Sequence, residues 1–200
     1  MNKLRILFLI LIFSLSLASN NFAEEQSNLA NFVVRNYSAL EVPTVGSNNP
    51  DYTIVEFFDY RCGYCSKQAN DYAELLNSYK NVKIIYLEFP IFGGISETAS
   101  KIALEVWKQN PDLYFQIHNG FMKLGPKMKK DSLIDLLNSN GLDGIGLFTK
   151  VEAETSNPII NSNKKLAKNL GLRGTPASIV NDTIFPGYVK LASLEKMINQ

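Results

Sequence analysis

Cys62 and Cys65 are the only cysteines in a chain of 200 residues, and just Gly63 and Tyr64 separate them. They follow an apolar run, Tyr52 to Tyr60, and precede a run from Ser66 to Lys80 with the apolar spacing of a helix. Two sulfurs at a strand-to-helix junction open and close a disulfide with little backbone movement. A structural staple is the competing reading, but a loop this small is worth only about 2 kcal/mol on the chain-entropy model. A chain of this length buries enough core not to need it. Zinc asks for four ligands, or three and a water, and the single histidine, His118, is far away in sequence. The pair reads as a redox device that requires no metal and no cofactor.

The chemistry assigns the two sulfurs different parts. Cys62 falls at the helix N-terminus, where unpaired N–H groups and the helix dipole favour a thiolate, the reacting species. It is the expected nucleophile, or the attacked sulfur of the oxidised pair. Cys65, one turn into the helix, is expected to be more buried and to act as the resolving thiol. Proton transfer to and from Cys65 needs a nearby group, and two acids compete, Glu56 and Asp59. Strand alternation sends them to opposite faces, so only one faces the sulfurs. Glu56 is preferred, since a carboxyl in apolar surroundings has a raised pKa suited to a proton shuttle. Asp59 reads as an exposed acid at the strand end.

Positioning these groups requires a sheet. Tyr52 to Tyr60 is apolar at nearly every position, as expected of a strand covered on both faces. Val82 to Phe89 is a second such strand, and strand, helix, strand implies a right-handed parallel unit. A long helical segment follows. Ala99 to Trp107 marks one helix and Asp112 to Leu124 another; Asp131 caps a third ending near Gly141, and Asn157-Pro158 opens a fourth that Gly171 closes. Ala177 to Val180, an Asn181-Asp182 turn and Thr183 to Phe185 read as a hairpin, with a terminal helix capped by Ser193. Upstream, Glu25 to Leu40 has a one-faced helical pattern, and Val42 to Pro50 reads as a linker.

The first residues have the layout of a secretory signal. Lys3 and Arg5 precede an apolar core, Ile6 to Leu17, of about twelve residues, short of the roughly 20 that a membrane span needs. Cleavage is expected after Ala23, before Glu24-Glu25, with Ala18 as the other option. It removes two cations and no acid, taking the formal charge from +1 to −1. A nearly neutral chain gives no reason to expect nucleic acid or an anionic membrane as partner. The small lysine run Lys127, Lys129 and Lys130 reads as solvated helix-end charge. The organisation expected is a signal over residues 1–23, a helix and linker over 24–50, and one domain over 51–200 with a helical insert at about 95–170.

Four segments resemble one family. VEFFDYRCGYC resembles the active-site segment of the DsbA-family thiol:disulfide oxidoreductases. EFPIFG with ETASKIALEVWKQ resembles the strand and first inserted helix of its ScsC-like branch, and FQIHNGFM resembles a further helix motif there, with Ile117 in place of a phenylalanine. NLGLRGTPASIVNDTIFPGY resembles the cis-proline hairpin. The resemblance implies an α/β thioredoxin-like fold with an inserted helical domain. It implies Cys62 and Cys65 as the exchanging pair, Glu56 as the buried acid, Gly63 and Tyr64 as tuning residues, and Thr175 with cis Pro176 as the substrate-binding segment. His118 is read as a packed or capping residue of the insert.

The implied role is a periplasmic oxidoreductase acting on unfolded or misfolded exported proteins and recycled by a membrane redox partner, as a disulfide oxidase. An isomerase or reductase kept reduced by a membrane donor is the alternative, followed by a surface binding or chaperone module with an inert disulfide. CGYC and the GTPA segment also resemble the isomerase DsbC, although too little chain lies between Ala23 and Asp51 for that family's dimerisation domain. In the strongly oxidising relatives the dipeptide is Pro-His. Tyr64 supplies no imidazole, so a less acidic Cys62 and a milder oxidant are expected.

Overall fold

The computed structural model describes residues 29–36 and 42–199. The signal pattern, and the ends of the helix expected over Glu25 to Leu40, lie outside these residues. Within them, α1 (Leu29–Asn36) is followed by β1 (Thr44–Gly46) and β2 (Tyr52–Phe58). The CxxC helix α2 (Gly63–Ser78) comes next, then β3 (Val82–Glu88). Five helices follow: α3 (Ile95–Gln109), α4 (Pro111–Leu124), α5 (Lys130–Ser139), α6 (Gly144–Glu152) and α7 (Pro158–Asn169). A 3-10 turn, Gly125–Lys127, joins α4 to α5, and β4 (Ala177–Val180), β5 (Thr183–Phe185) and α8 (Leu191–Ile198) complete the chain. The sheet order is β1-β3-β2-β4-β5, with β2 and β3 parallel and every other pairing antiparallel.

The period of two in β2 divides the core. Ile54 and Phe58 point to a cluster built with α2, α3, α4 and α8, whereas Val55 and Phe57 point to a second cluster with α1 and α7. β3 divides the same way, Ile84 and Tyr86 against Ile85 and Leu87. Both strands are therefore covered on both sides, as their near-continuous apolar runs require. Each fully buried side chain of this size contributes about 1.5–3 kcal/mol. Glu56 shares the parity of Ile54 and Phe58, so it is on the face that holds Cys62, Cys65 and Tyr72. The last helix of the expected insert, α7, lies across the sheet from the others, since Leu166, Ala167 and Leu170 join the second cluster.

Local chemistry accounts for four departures from the sequence reading. The expected linker contains β1, because the outer edge of β3 needs a partner: the Tyr86 N–H donates to the Pro43 carbonyl at 2.9 Å, and Val42 is buried. Gly46 closes this edge strand at φ +105, where an added Cβ would lie 2.3 Å from the Val82 carbonyl oxygen. α6 has no counterpart in the sequence reading, which leaves the stretch between Gly141 and Asn157 unassigned; Asp143 caps it by accepting the Gly146 N–H at 2.9 Å. α5 is capped at Lys129, with Ser132 accepting its N–H, rather than at Asp131. α8 begins ahead of Ser193, because the Leu191 N–H donates to Asp71 Oδ2 at 3.2 Å.

Candidate active site

The turn from β2 into α2 presents the two sulfurs. The Cys62 N–H donates to the Asp59 carbonyl at 3.0 Å, which leaves Cys62 extended (φ −80, ψ 117) as the N-cap of α2. Its Sγ then accepts the Cys65 N–H at 3.4 Å and lies 3.2 Å from the Thr175 carbonyl oxygen, to which it donates when protonated. Both cysteines are free thiols. Hydrogen bonding from Cys65, against the opposing effect of burial, brings the Cys62 thiol down to about 6. Cys65 is fully buried and burial pushes its thiol far up, helped by the hydrogen bond with Cys62 and by the Glu56 charge. One sulfur is poised as a thiolate and the other held as a thiol.

Glu56 is fully buried, and neither carboxyl oxygen has a hydrogen-bond partner. Burial raises its pKa well above the ordinary range, and the Cys62 charge adds to this. Tyr72 stands nearby with its hydroxyl bonded to Ser178 at 2.8 Å, and the Tyr86 hydroxyl is buried without a partner. Glu56 faces Tyr86 and Ser178 across its two neighbouring strands.

Asp59 is not an exposed strand-end acid: it is fully buried. Its Oδ1 accepts the Arg61 N–H at 2.8 Å and the Ser96 hydroxyl, and its Oδ2 accepts the Phe92 N–H at 3.0 Å. Three donors satisfy the carboxylate and tie the loop before Cys62 to the loop after β3. Burial rules treat Asp as a surface residue, so the only sequence signal was its place between a strand and a CxxC.

Thr175-Pro176 is a cis peptide bond at the start of β4, where Ala177 pairs with Phe57 next to the Cys62 turn. The Thr175 hydroxyl is buried without a partner. Gly63 is open to solvent and Tyr64 is 65% exposed. The Tyr64 ring lies 6.2 Å from that of Tyr188, whose hydroxyl donates to Asp71 Oδ2 at 2.5 Å and whose face carries the Lys67 ammonium at 4.6 Å. The hydrogen bond to Asp71 lifts the Tyr188 pKa to about 12. On the β3 side Ile91 and Phe92 are also exposed, the latter at 55%. Tyr188 and Phe92 were not singled out in the sequence, because only the meeting of strand ends brings them to the cysteines.

A second buried acid sits behind the turn. The Tyr60 hydroxyl donates to Glu88 Oε1 at 3.1 Å and lies 3.2 Å from His118 Nδ1, joining the active-site turn to β3 and to α4. Burial raises the Glu88 pKa and lowers that of His118 to about 3, which leaves a neutral imidazole. Tyr60 has one hydroxyl hydrogen, so while it serves Glu88 the imidazole Nδ1–H donates to the phenol oxygen. His118 is thus packed in the insert, as read, and also bonded to the active-site turn. Among the described residues no three His, Cys, Asp or Glu side chains gather to hold a metal, and no helix is long and apolar enough to cross a membrane.

Residues 53–199 match the profile of the DSBA-like thioredoxin domain. The chain belongs to that family. It is a DsbA-like thiol:disulfide oxidoreductase, with the thioredoxin fold. A thioredoxin-like oxidoreductase from Silicibacter pomeroyi is 31% identical, with a TM-score of 0.69 over 80% of this chain and 91% of its own. A periplasmic thioredoxin-like protein from Salmonella enterica serovar Typhimurium is 26% identical, with a TM-score of 0.70 over 82% and 91%. The disulfide bond formation protein D of Bacillus subtilis is 23% identical over 168 residues, 79% of this chain and 76% of that one. The DsbA-like match spans both halves of the sheet and the helices between them.

Proposed function

We propose that this protein exchanges disulfides with exported proteins through Cys62 and Cys65, acting as an oxidase in the periplasm after its signal is removed. The observation that carries the reading is the unlike state of the two thiols, Cys62 near 6 and Cys65 far above. A substrate thiolate attacks Cys62 Sγ of the oxidised pair, and the S–S bond to Cys65 breaks. Cys65 leaves as a thiolate and takes a proton, for which Glu56, raised by burial, is the donor. A second substrate thiolate then attacks the substrate sulfur of the mixed disulfide and releases Cys62, which stays a thiolate at neutral pH. The substrate leaves with its own disulfide and the enzyme is left reduced; a membrane partner reoxidises it.

Thr175 and Pro176 are the substrate-binding segment in this reading. The Thr175 backbone lies beside the reacting sulfur, where an extended peptide adds as a strand. Gly63 and Tyr64 tune the pair. A Cys62 value near 6 falls between the strong oxidant DsbA, about 3.5, and thioredoxin, about 7. That intermediate value, with Tyr64 in the tuning position, favours a second reading as an isomerase or reductase kept reduced by a membrane donor. Acid quenching and thiol alkylation in the producing cells decide between them. A pair found mostly oxidised supports the oxidase; a pair found mostly reduced supports the alternative. Failure to catalyse insulin reduction, together with an unreactive Cys62, would sink both.

A further inference from the structure

A cleft of about 470 Å3 opens at the catalytic helix itself. One wall is Gly63, Ser66 and Asn70, the positions of α2 spaced by three and four; the other is the end of α4 and the turn Gly125–Lys127, with Lys123 and Lys127 on it. This is a different face of α2 from the one that meets the loop before α8. Gln68 and Asp71 hold that loop through Val189 and Leu191, and Tyr64 lies against Tyr188. The cleft is built into the fold. The Ser66 hydroxyl donates to the Met122 carbonyl at 2.6 Å, and Gly125, at φ +52, approaches so closely that an added Cβ would lie 3.3 Å from Ser66 Oγ.

No carboxylate lines the cleft, and neither Lys123 nor Lys127 has a carboxylate partner among the ion pairs of the described residues. The next acid along that face of α2, Glu74, is a turn beyond Asn70 and outside the lining. Two unpaired cations therefore flank a trough whose first residue, Gly63, follows the reacting cysteine. A substrate held by its cysteine at Cys62 must place the neighbouring part of its chain somewhere on this rim.

We propose that this cleft receives the stretch of substrate polypeptide beside the reacting cysteine and selects stretches that carry acidic side chains, with Lys123 and Lys127 as the specificity-determining residues. The inference rests on the disulfide-exchange reading of Cys62. Opposite charges at a rim of this kind act on encounter and register more than on chemistry, so the effect appears in the second-order rate and fades with salt.

The test uses the reduced full chain and two peptides, each with one cysteine activated as a mixed disulfide with thionitrobenzoate. One peptide has two glutamates on each side of the cysteine, the other two glutamines. Cys62 thiolate attacks the peptide sulfur, a Cys62–peptide disulfide forms, and thionitrobenzoate leaves as the coloured thiolate. At low salt the parent is expected to react about fivefold faster with the glutamate peptide. The Lys123→Gln/Lys127→Gln variant, melting at the parent temperature, should bring the two within about twofold, as should 0.5 M salt. The thionitrobenzoate disulfide of mercaptoethanol should react alike with parent and variant. A parent that does not discriminate, or a variant that discriminates as well as the parent, overturns the inference and leaves the exchange reading intact. If none of the three disulfides reacts faster with the parent than with Cys62→Ser, the exchange reading fails and this inference falls with it.

Discussion

At Cys62 the energetic question is what holds a thiolate at a buried position. The Cys65 N–H, at 3.4 Å, is one of the unpaired donors of the first helical turn, and hydrogen bonding from Cys65 outweighs the opposing effect of burial. Thiolate absorbance of the reduced protein should titrate with a midpoint near 6, and attack on a disulfide should rise with pH through that midpoint and level off. A midpoint above 8 would contradict the site as drawn. Glu56 carries the opposite shift. Its folded pKa is raised, so its share of stability is full below about 4.3, the unfolded value, and is lost as pH rises toward the folded one. Glu56→Leu should therefore stabilise the protein at pH 7 by about 1–3 kcal/mol, with the gain narrowing toward pH 4. Urea unfolding at the two pH values checks this, and resolution of a mixed disulfide should slow in the same variant. Both residues were singled out in the sequence by type and spacing, Glu56 also by the family resemblance. The place of Asp59 was not legible: an acid at a strand end looks solvated until the loop after β3 is seen to supply its donors.

At the scale of elements, one phenol ties the active-site turn to both β3 and α4. Tyr60 packs edge-on against Phe58 and Phe121, at 5.1 and 5.3 Å between ring centres, and its hydroxyl meets Glu88 of β3 and His118 of α4. Tyr60→Phe keeps the ring and leaves Glu88 short of a donor, so it should cost about 1–3 kcal/mol in urea unfolding. Tyr114→Phe, which removes a hydroxyl 3.5 Å from the same imidazole nitrogen, should cost less than half as much. Equal costs would show that the Tyr60 hydroxyl contributes no more than that of Tyr114. The long helices were legible because their apolar positions recur every three or four residues. β1 and α6 were not: β1 owes its pairing to the open edge of β3, and α6 buries Leu147, Phe148 and Val151 although glycines precede them. In both, tertiary contact overrides weak local preference.

For the molecule as a whole, stability and redox state are one equilibrium. The Cys62 pKa is depressed by folding, so the stability it confers on the reduced form is full above the unfolded thiol value, about 8.5, and is lost as pH falls through about 6. The reduced protein should gain on the oxidised one in melting temperature as pH rises from about 6 to about 9, and the difference should flatten beyond. A difference independent of pH would mean that the thiolate is not stabilised by the fold. The match over residues 53–199 places this equilibrium in a DsbA-like domain. By itself the sequence determined the candidate cysteine pair, the two doubly covered strands and the helical insert, because those depend on residue type and on periods of two and 3.6. Only the tertiary structure decided what stands around the pair. It set Thr175 against Cys62, put Asp59 under the turn, linked His118 to Glu88 through Tyr60, and opened the lysine-flanked cleft beside Gly63. Apart from Asp59, which takes a donor from the loop after β3, those neighbours come from strand ends and helix faces far apart in the chain, and no local period records which of them will meet.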